Sequence, residues 1–191
     1  MALIGNPVLA DIVDKATRSR MMAGIRGRDT KPELRIRSAL HRAGFRYRLH
    51  EAKLPGRPDL VLPKFHAVVF AQGCFWHRHE GCSATTTPGS NAEYWQERFC
   101  QNVERDTRNI KALRAAGWRV AVVWECAVKR MTDEEIAKAL GSWLHGVTAT
   151  LDIPDARPNG HASCVKHSSN TDESEHPTLP APPPPPRSRR V

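Results

Sequence analysis

Ten residues, Gly73 to Cys82, constrain the fold of this chain more than any other stretch. They follow an apolar run that predicts a strand, and Cys74, His79 and Cys82 have the close spacing of a Zn²⁺ site with thiolate and imidazole ligands. A structural zinc needs a fourth ligand, which Cys126 can supply from the end of a later apolar run. The alternative is that these cysteines are packed as small apolar side chains. The spacing and the rarity of disulfides in the cytosol favour the metal site.

The same stretch contains His77 and the adjacent aromatic pair Phe75–Trp76, which a four-ligand zinc site does not need. A metal would hold the backbone around these side chains, so they indicate a functional site rather than a core. The alternative for His77 is a role as a zinc ligand or as the support of one. The alternative for the aromatic pair is packing of the metal loop against the core.

Composition separates a folded part of the 191 residues from a C-terminal tail. All twelve aromatic residues lie at or before Trp143, whereas the chain from Val147 onward carries nine of the fifteen prolines. Such a segment cannot bury enough apolar surface to offset the entropy cost of ordering, so we expect a disordered Pro-rich tail at 147–191. A folded domain at 24–146 precedes this tail. The segment 1–23 before it is basic and polar at residues 14–20, and it is either an arm that lies along a phosphate backbone or a solvated terminus.

The charge of the chain favours a polyanionic partner. The net charge is +9, and the five basic and five acidic residues of the predicted tail cancel, so the excess lies before residue 147. Nucleic acid is the first candidate partner, and solubility alone is the alternative. No signal peptide and no run of transmembrane length are visible. A reducing cytoplasm with metal-bound thiolates fits the five cysteines, with Cys100 and Cys164 as free thiols.

Hydrophobic periodicity predicts an α/β domain with a central mixed sheet flanked by helices. Thr30 and Thr132 each begin a helix through a capping box, and a long helical pattern runs from Asn91 to Ala116. The predicted strands are Phe45–Leu49, Asp59–Leu62, Ala67–Phe70 and Trp118–Trp124. The last of these is largely apolar, which suits the interior of a sheet that is covered on both faces.

Three carboxylates are candidate site residues, and each has a simpler alternative. Glu33 completes the first capping box. Asp59 can cap a turn, but it also opens a strand whose hairpin partner ends just before Cys74, which would bring Asp59 close to His77. Asp106 lies on the polar face of the long helix, where it can face solvent or pair with a neighbouring arginine.

Five motifs follow one another in a recognisable order along the chain. They are Asp14-Lys15-Ala16-Thr17-Arg18-Ser19, Leu54-Pro55-Gly56-Arg57-Pro58-Asp59, Gly73-Cys74-Phe75-Trp76-His77, Asn102-Val103-Glu104-Arg105-Asp106, and Gly117-Trp118-Arg119-Val120 with Val123-Trp124-Glu125-Cys126. Together they resemble the motifs of the very short patch repair endonucleases, a bacterial family of DNA mismatch endonucleases with a restriction-endonuclease-like fold. Any one of these motifs alone would be a weak signal.

The resemblance implies a Mg²⁺-dependent nick in double-stranded DNA on the 5′ side of the thymine of a T·G mismatch. Deamination of 5-methylcytosine produces such mismatches, and the nick initiates very short patch repair. A cytosine-5 DNA methyltransferase is the implied functional partner, and mismatch-repair proteins are further candidates. We expect a monomer in the bacterial cytoplasm, associated with the nucleoid when bound to DNA and independent of membranes.

The resemblance also implies catalytic roles. Asp59 would bind Mg²⁺, and His77 would activate or orient the attacking water. Glu33 and Asp106 would support the water shell of the metal and the base. The structural Zn²⁺ would be held by Cys74, His79, Cys82 and Cys126.

Contacts with DNA are implied at both ends of the site. Phe75 and Trp76 would wedge into the duplex beside the mismatch, and Met22 of the N-terminal arm would enter from the other groove. Lys15 and Arg18 would lie along the phosphate backbone, although a solvated terminus is the alternative for this arm.

Ala71 and Gln72 are among the positions that depart from the family pattern, and two other functions stay open. Ala71 is harmless if only its backbone carbonyl serves the metal, whereas Gln72 replaces a possible imidazole helper. A zinc-stapled module that binds mismatched DNA without cutting it is therefore the first alternative. The second is a nuclease of the same fold that acts on RNA or without specificity, because phosphate contacts carry no sequence information.

Overall fold

The computed structural model describes Thr17, Arg20, residues 27–89 and residues 91–154. Nearly all of the predicted arm lies outside the described residues, and so does the chain from 155 to 191. Three proposed DNA contacts fall in that outside part, namely Lys15, Arg18 and Met22.

Helices and strands alternate along most of the described chain. The helices are α1 (Lys31–Arg42), α2 (Cys74–His77), α3 (Ala92–Ala115), α4 (Glu125–Arg130) and α5 (Asp133–His145), with a 3₁₀ turn at Pro63–Phe65. The strands are β1 (Arg48–Leu49), β2 (Leu60–Leu62), β3 (Ala67–Gln72), β4 (Arg119–Trp124) and β5 (Thr150–Ile153). Among the described residues, no helix combines the length and apolar character needed to cross a membrane.

The five strands form one mixed sheet in the order β1-β2-β3-β4-β5. β1, β2 and β3 are antiparallel, whereas β3, β4 and β5 are parallel. The predicted mixed sheet and the hairpin that follows Asp59 are thereby confirmed. Because Gln72 pairs with Trp124, β3 and β4 end at the same edge of the sheet. The assignment to the restriction-endonuclease-like fold stays a prediction.

Helices cover both faces of the sheet. On one face α1 and α5 enclose the larger core, which includes Ile36, Leu40, Leu60, Val69, Ala121, Val123, Ile136, Leu140 and Trp143. On the other face Leu113 of α3 packs on Val61, Val68 and Val120. Successive residues of β2, β3 and β4 thus alternate between two cores, as the apolar composition of the last predicted strand indicated. Both predicted capping boxes, at Thr30 and Thr132, are present.

The sheet extends past the boundary predicted for the folded domain. Thr150–Ile153 forms β5, which pairs in parallel with Val120–Val123, and Ile153 is buried. The predicted start of the tail at residue 147 therefore precedes the last strand. Proline content averaged over a long segment hides a four-residue strand whose hydrogen-bonding partner, β4, lies elsewhere in the sequence.

Two smaller predictions also differ from the structure. The strand predicted at Phe45–Leu49 is reduced to β1, and Phe45 and Tyr47, which precede β1, pack against the larger core. The Tyr47 hydroxyl donates to the carbonyl of Arg37 at 2.9 Å. Cys100 is disulfide-bonded rather than a free thiol.

Candidate active site and metal centre

A cavity of about 1020 Å³ opens at the edge of the sheet where β3 and β4 end. The four residues predicted to be catalytic all line it, namely Glu33, Asp59, His77 and Asp106. Four arginines line it as well: Arg28, Arg57, Arg98 and Arg105. The fold therefore brings carboxylates, imidazole and positive charge together from segments that are far apart in the sequence.

Asp59 lies directly before β2, and the neighbouring strand orients its side chain. The backbone N–H of Ala71 in β3 donates to Asp59 Oδ2 at 2.7 Å. Burial raises the pKa of Asp59, and the Ala71 N–H, Arg37 and His77 act against that rise. A cation bound here would be a further charge that favours the ionised carboxylate.

The turn before Asp59 depends on a glycine. Gly56 has φ +72°, and a Cβ added to it would lie 2.9 Å from Asn109 Nδ2 on α3. A side chain at residue 56 would therefore push the turn away from α3, in addition to straining the backbone. This close approach holds the turn, and Asp59 at its end, against the helix that carries Asp106.

His77 and Asp106 form a contact between α2 and α3. Their Nδ1 and Oδ2 atoms are 2.5 Å apart. Because Asp106 accepts the hydrogen of Nδ1, the Nε2 of a neutral His77 is available to accept a proton. Arg105 donates to the other oxygen of Asp106 at 3.1 Å. Asp106 thus contacts both His77 and Arg105, and the pairing with a neighbouring arginine was the alternative considered for it.

Glu33 is held inside the protein by its neighbours. It closes the capping box of α1 with 1% of its surface exposed, and its Oε1 pairs with the guanidinium of Arg37. His50 Nε2 lies 3.1 Å from the same oxygen, and His50 Nδ1 lies 4.0 Å from Asp59 Oδ1. The structure therefore connects Glu33 to Asp59 through His50. Burial, with Arg37 next in importance, lowers the pKa of His50.

Sequence reasoning did not find Arg37 and His50. The spacing of Arg37 four residues after Glu33 is the signal of a helical ion pair and could have been read from the sequence. His50 carries no such signal, because its place between the two carboxylates depends on how the chain after α1 packs.

The four predicted zinc ligands form one cluster, in which all ligand atoms lie within 4.8 Å of one another. His79 Nδ1 is 3.3 Å from Cys126 Sγ and 3.7 Å from Cys74 Sγ. Tetrahedral Zn²⁺ with Zn–S of about 2.3 Å and Zn–N of about 2.0 Å separates its ligand atoms by roughly 3.5–3.8 Å. The donor set and its spacing therefore fit a structural zinc.

The loop between the ligands is shaped for this cluster. Gly81 adopts φ +65°, and the Thr85 hydroxyl donates to the carbonyl of His79 at 2.7 Å. The His79 ring stacks on Trp124 with centroids 4.3 Å apart, which orients its imidazole. Burial raises the pKa of Cys74 to about 12, and a coordinating metal deprotonates such a thiol.

The two aromatic residues of α2 differ in their surroundings. The Phe75 ring lies 5.1 Å from that of Phe99 and 5.8 Å from that of Trp95, so it packs on α3. Trp76 lines the cavity, and its carbonyl accepts a hydrogen bond from Asn102 at 3.2 Å. Phe75 thus packs against α3, whereas Trp76 forms part of the cavity wall.

Known proteins resemble this chain over most of its length. A family model described as "DNA mismatch endonuclease Vsr" matches residues 10–83. The DNA mismatch endonuclease Vsr of Escherichia coli (strain K12) is 44% identical over 148 residues, which cover 76% of this chain and 94% of that relative. The type II nicking enzyme V.XorIIP of Xanthomonas oryzae pv. oryzae is 45% identical over 118 residues, covering 62% and 86% of the two chains. V.NmeAIP, a type II nicking enzyme of Neisseria meningitidis, is 42% identical over 121 residues, which cover 63% of this chain and 86% of that relative.

These similarities, on an α/β fold whose cavity is lined by both carboxylates and arginines, define the class of the protein as a DNA-cleaving hydrolase. Within that class, the chain belongs to the DNA mismatch endonuclease Vsr family, as its motifs predicted. The segment matched by the family model includes Asp59, His77 and three of the four cluster ligands.

Proposed function

We propose that this protein nicks double-stranded DNA on the 5′ side of the thymine in a T·G mismatch, by Mg²⁺-dependent hydrolysis of the phosphodiester. The observation that carries the proposal is the placement of Asp59 and the His77–Asp106 pair in one cavity lined by arginines. The relatives named as mismatch endonuclease and nicking enzymes support cleavage of one strand. The T·G preference rests on the motif resemblance.

The chemistry follows from the placement of the side chains. Mg²⁺ takes oxygen ligands and keeps several waters, so a single buried carboxylate such as Asp59 suits it. When bound, the ion would stabilise charge on the phosphate and activate a water. His77 accepts the proton of the attacking water at Nε2, because Asp106 holds the hydrogen on Nδ1. The cavity arginines bind the phosphates on either side of the cleaved bond.

Zn²⁺ has a structural role in this proposal. Bound at the cluster, it would tie the start of α2 to Cys126 in α4. His77 and Trp76 lie between the first two zinc ligands along the chain, so the metal would hold both at the cavity. No ligand position is left open for water when four protein ligands are bound.

Trp76 supplies the wedge that selects the mismatch. Trp76→Ala should reduce the preference for T·G over C·G duplex in binding, because stacking on a base is worth about 1–3 kcal/mol, or roughly 5- to 150-fold. Fluorescence anisotropy with labelled duplexes in Ca²⁺ would measure both affinities. Trp118→Ala is the matched control, since Trp118 stacks on His66 away from the cavity. An unchanged preference in Trp76→Ala would remove Trp76 from mismatch recognition.

The cellular context completes the proposal. We infer a cytoplasmic protein that acts on nucleoid DNA, with a cytosine-5 DNA methyltransferase as the source of the methylated base. Mismatch-repair proteins are candidate partners, and the active form is a monomer. Lys15, Arg18 and Met22 are proposed DNA contacts of the arm.

A nicking assay on end-labelled T·G and C·G duplexes, with Mg²⁺ or EDTA, tests this function. We expect a Mg²⁺-dependent nick confined to the T strand of the T·G duplex. Tight binding to the T·G duplex without a nick in any divalent metal would instead support the zinc-stapled module that binds without cutting. Gln72 in the cavity wall would then explain the missing cleavage activity. Equal cutting of both duplexes would indicate a nuclease without mismatch specificity.

A further inference from the structure

His50 lies between two carboxylates of the site, and no motif of the sequence includes it. Its Nε2 is 3.1 Å from Glu33 Oε1, and its Nδ1 is 4.0 Å from Asp59 Oδ1. Its side chain is 16% exposed, so protein encloses most of the ring. One imidazole therefore faces the buried cap of α1 on one side and the proposed Mg²⁺ ligand on the other.

Arg37 determines which nitrogen of His50 accepts a hydrogen bond. Its guanidinium lies 2.8 Å from His50 Nε2, and arginine can act only as a donor. Nε2 therefore accepts, and in the neutral ring the hydrogen is on Nδ1, on the side of Asp59. A separation of 4.0 Å is too long for a direct hydrogen bond, but one bridging water or a small rotation of the carboxylate can span it.

The backbone of His50 also indicates an enforced position. Its φ is +48°, in the left-handed region that a residue with a side chain rarely adopts. Such a conformation persists where surrounding contacts impose it. Here Arg37 donates to the ring, and Glu33, which closes the capping box of α1, pairs with Arg37 and so holds it in place.

The cluster around His50 is already occupied by a positive charge. Asp29, Glu33 and His50 have ligand atoms within 4.8 Å of one another. However, the Arg37 guanidinium contacts all three of them. A second metal ion would have to displace this buried guanidinium, so we interpret the cluster as an anchor rather than as a cation site.

We propose that His50 is a positioning residue that sets the orientation of the Asp59 carboxylate, with Arg37 and Glu33 as its anchor. This inference rests on the proposed function, because it takes Asp59 as the Mg²⁺ ligand. It also gives Glu33 a defined role: the buried carboxylate pairs with the Arg37 guanidinium that donates to His50. Groups that orient a metal ligand typically change metal affinity or activity by about 10- to 100-fold when removed.

Two substitutions of His50 and one control separate positioning from folding. His50→Gly removes the ring and relieves the left-handed backbone, whereas His50→Asn keeps a donor near the place of Nδ1 and tolerates that backbone. His66→Gly is the matched control, because His66 has the same φ of +48° and lies before β3, at the opposite end of that strand from Ala71. Thermal unfolding of all variants shows whether the fold is retained.

Binding of Mn²⁺, followed by the loss of its free EPR signal, is the readout that does not require cleavage. We expect about 10-fold weaker Mn²⁺ binding in His50→Gly, a matching rise in the Mg²⁺ concentration for half-maximal nicking, and partial recovery in His50→Asn. His66→Gly should match the wild type in both measurements. Unchanged Mn²⁺ affinity in folded His50→Gly would overturn the positioning role.

The same measurements distinguish the two proposals. If wild type binds Mn²⁺, His50→Gly weakens that binding and neither protein nicks a T·G duplex, the proposed function fails and the positioning role stands. If wild type binds no Mn²⁺ at the site, the role of Asp59 and the positioning role fail together.

Discussion

Asp59→Asn should lower the Mg²⁺-dependent nicking rate on a T·G duplex by about 10³-fold or more, which corresponds to about 4 kcal/mol. The substitution keeps the shape of the side chain and an oxygen that can accept from the Ala71 N–H. It removes the negative charge that Mg²⁺ needs, and with it the stabilisation of charge on the phosphate. Single-turnover rates on end-labelled duplexes would measure the loss.

The control for Asp59→Asn is Asp133→Asn. Asp133 pairs with Arg35 and Arg42 at the start of α5 and does not line the cavity. Its replacement should change the unfolding temperature slightly and leave the nicking rate as it is. Affinity for T·G duplex in the absence of divalent metal should be retained in both variants. Nicking by Asp59→Asn at the wild-type rate would mean that another group binds the metal.

Removal of zinc should have the second large effect. Chelation, or Cys126→Ser, would leave buried thiols and an imidazole without the metal that joins α2 to α4. We expect a loss of roughly 5 kcal/mol in the free energy of unfolding, or about 10–20 °C in Tm. The reason is that only the folded chain forms such a site, so the free energy of metal binding adds to the free energy of folding. Nicking should be lost with it, since His77 lies between Cys74 and His79.

A ligand exchange serves as the control for zinc removal. His79→Cys keeps four zinc ligands, and Cys₄ sites are common structural sites. This variant should retain one zinc per chain by elemental analysis and most of its stability. Purified wild type without zinc, or an unfolding temperature that does not change on chelation, would contradict the structural role of the cluster.

Much of the fold could be predicted from local patterns. The two capping boxes, the long helix that became α3 and the hairpin of β2 and β3 are each encoded within short segments. Such signals depend on hydrogen bonds and periodicity between near neighbours, so they are readable without the rest of the chain. β5 was missed because a strand of four residues depends on its partner β4 for its existence.

The sequence by itself determined which residue types the site contains. The spacing of Cys74, His79 and Cys82 predicted a cluster, and the structure gathers all four expected ligands. Asp59, His77, Glu33 and Asp106 were likewise predicted as site residues, and they line one cavity. Local spacing and motifs reveal these residues because metal binding and phosphodiester hydrolysis require particular side chains.

The tertiary structure alone decided how the site residues are connected. It placed His50 between Glu33 and Asp59, and it packed Phe75 on α3 while leaving Trp76 at the cavity. These contacts join residues whose spacing along the chain follows no motif. They arise where segments from different parts of the sequence pack at one edge of the sheet, so distances between atoms, rather than spacing between residues, define them.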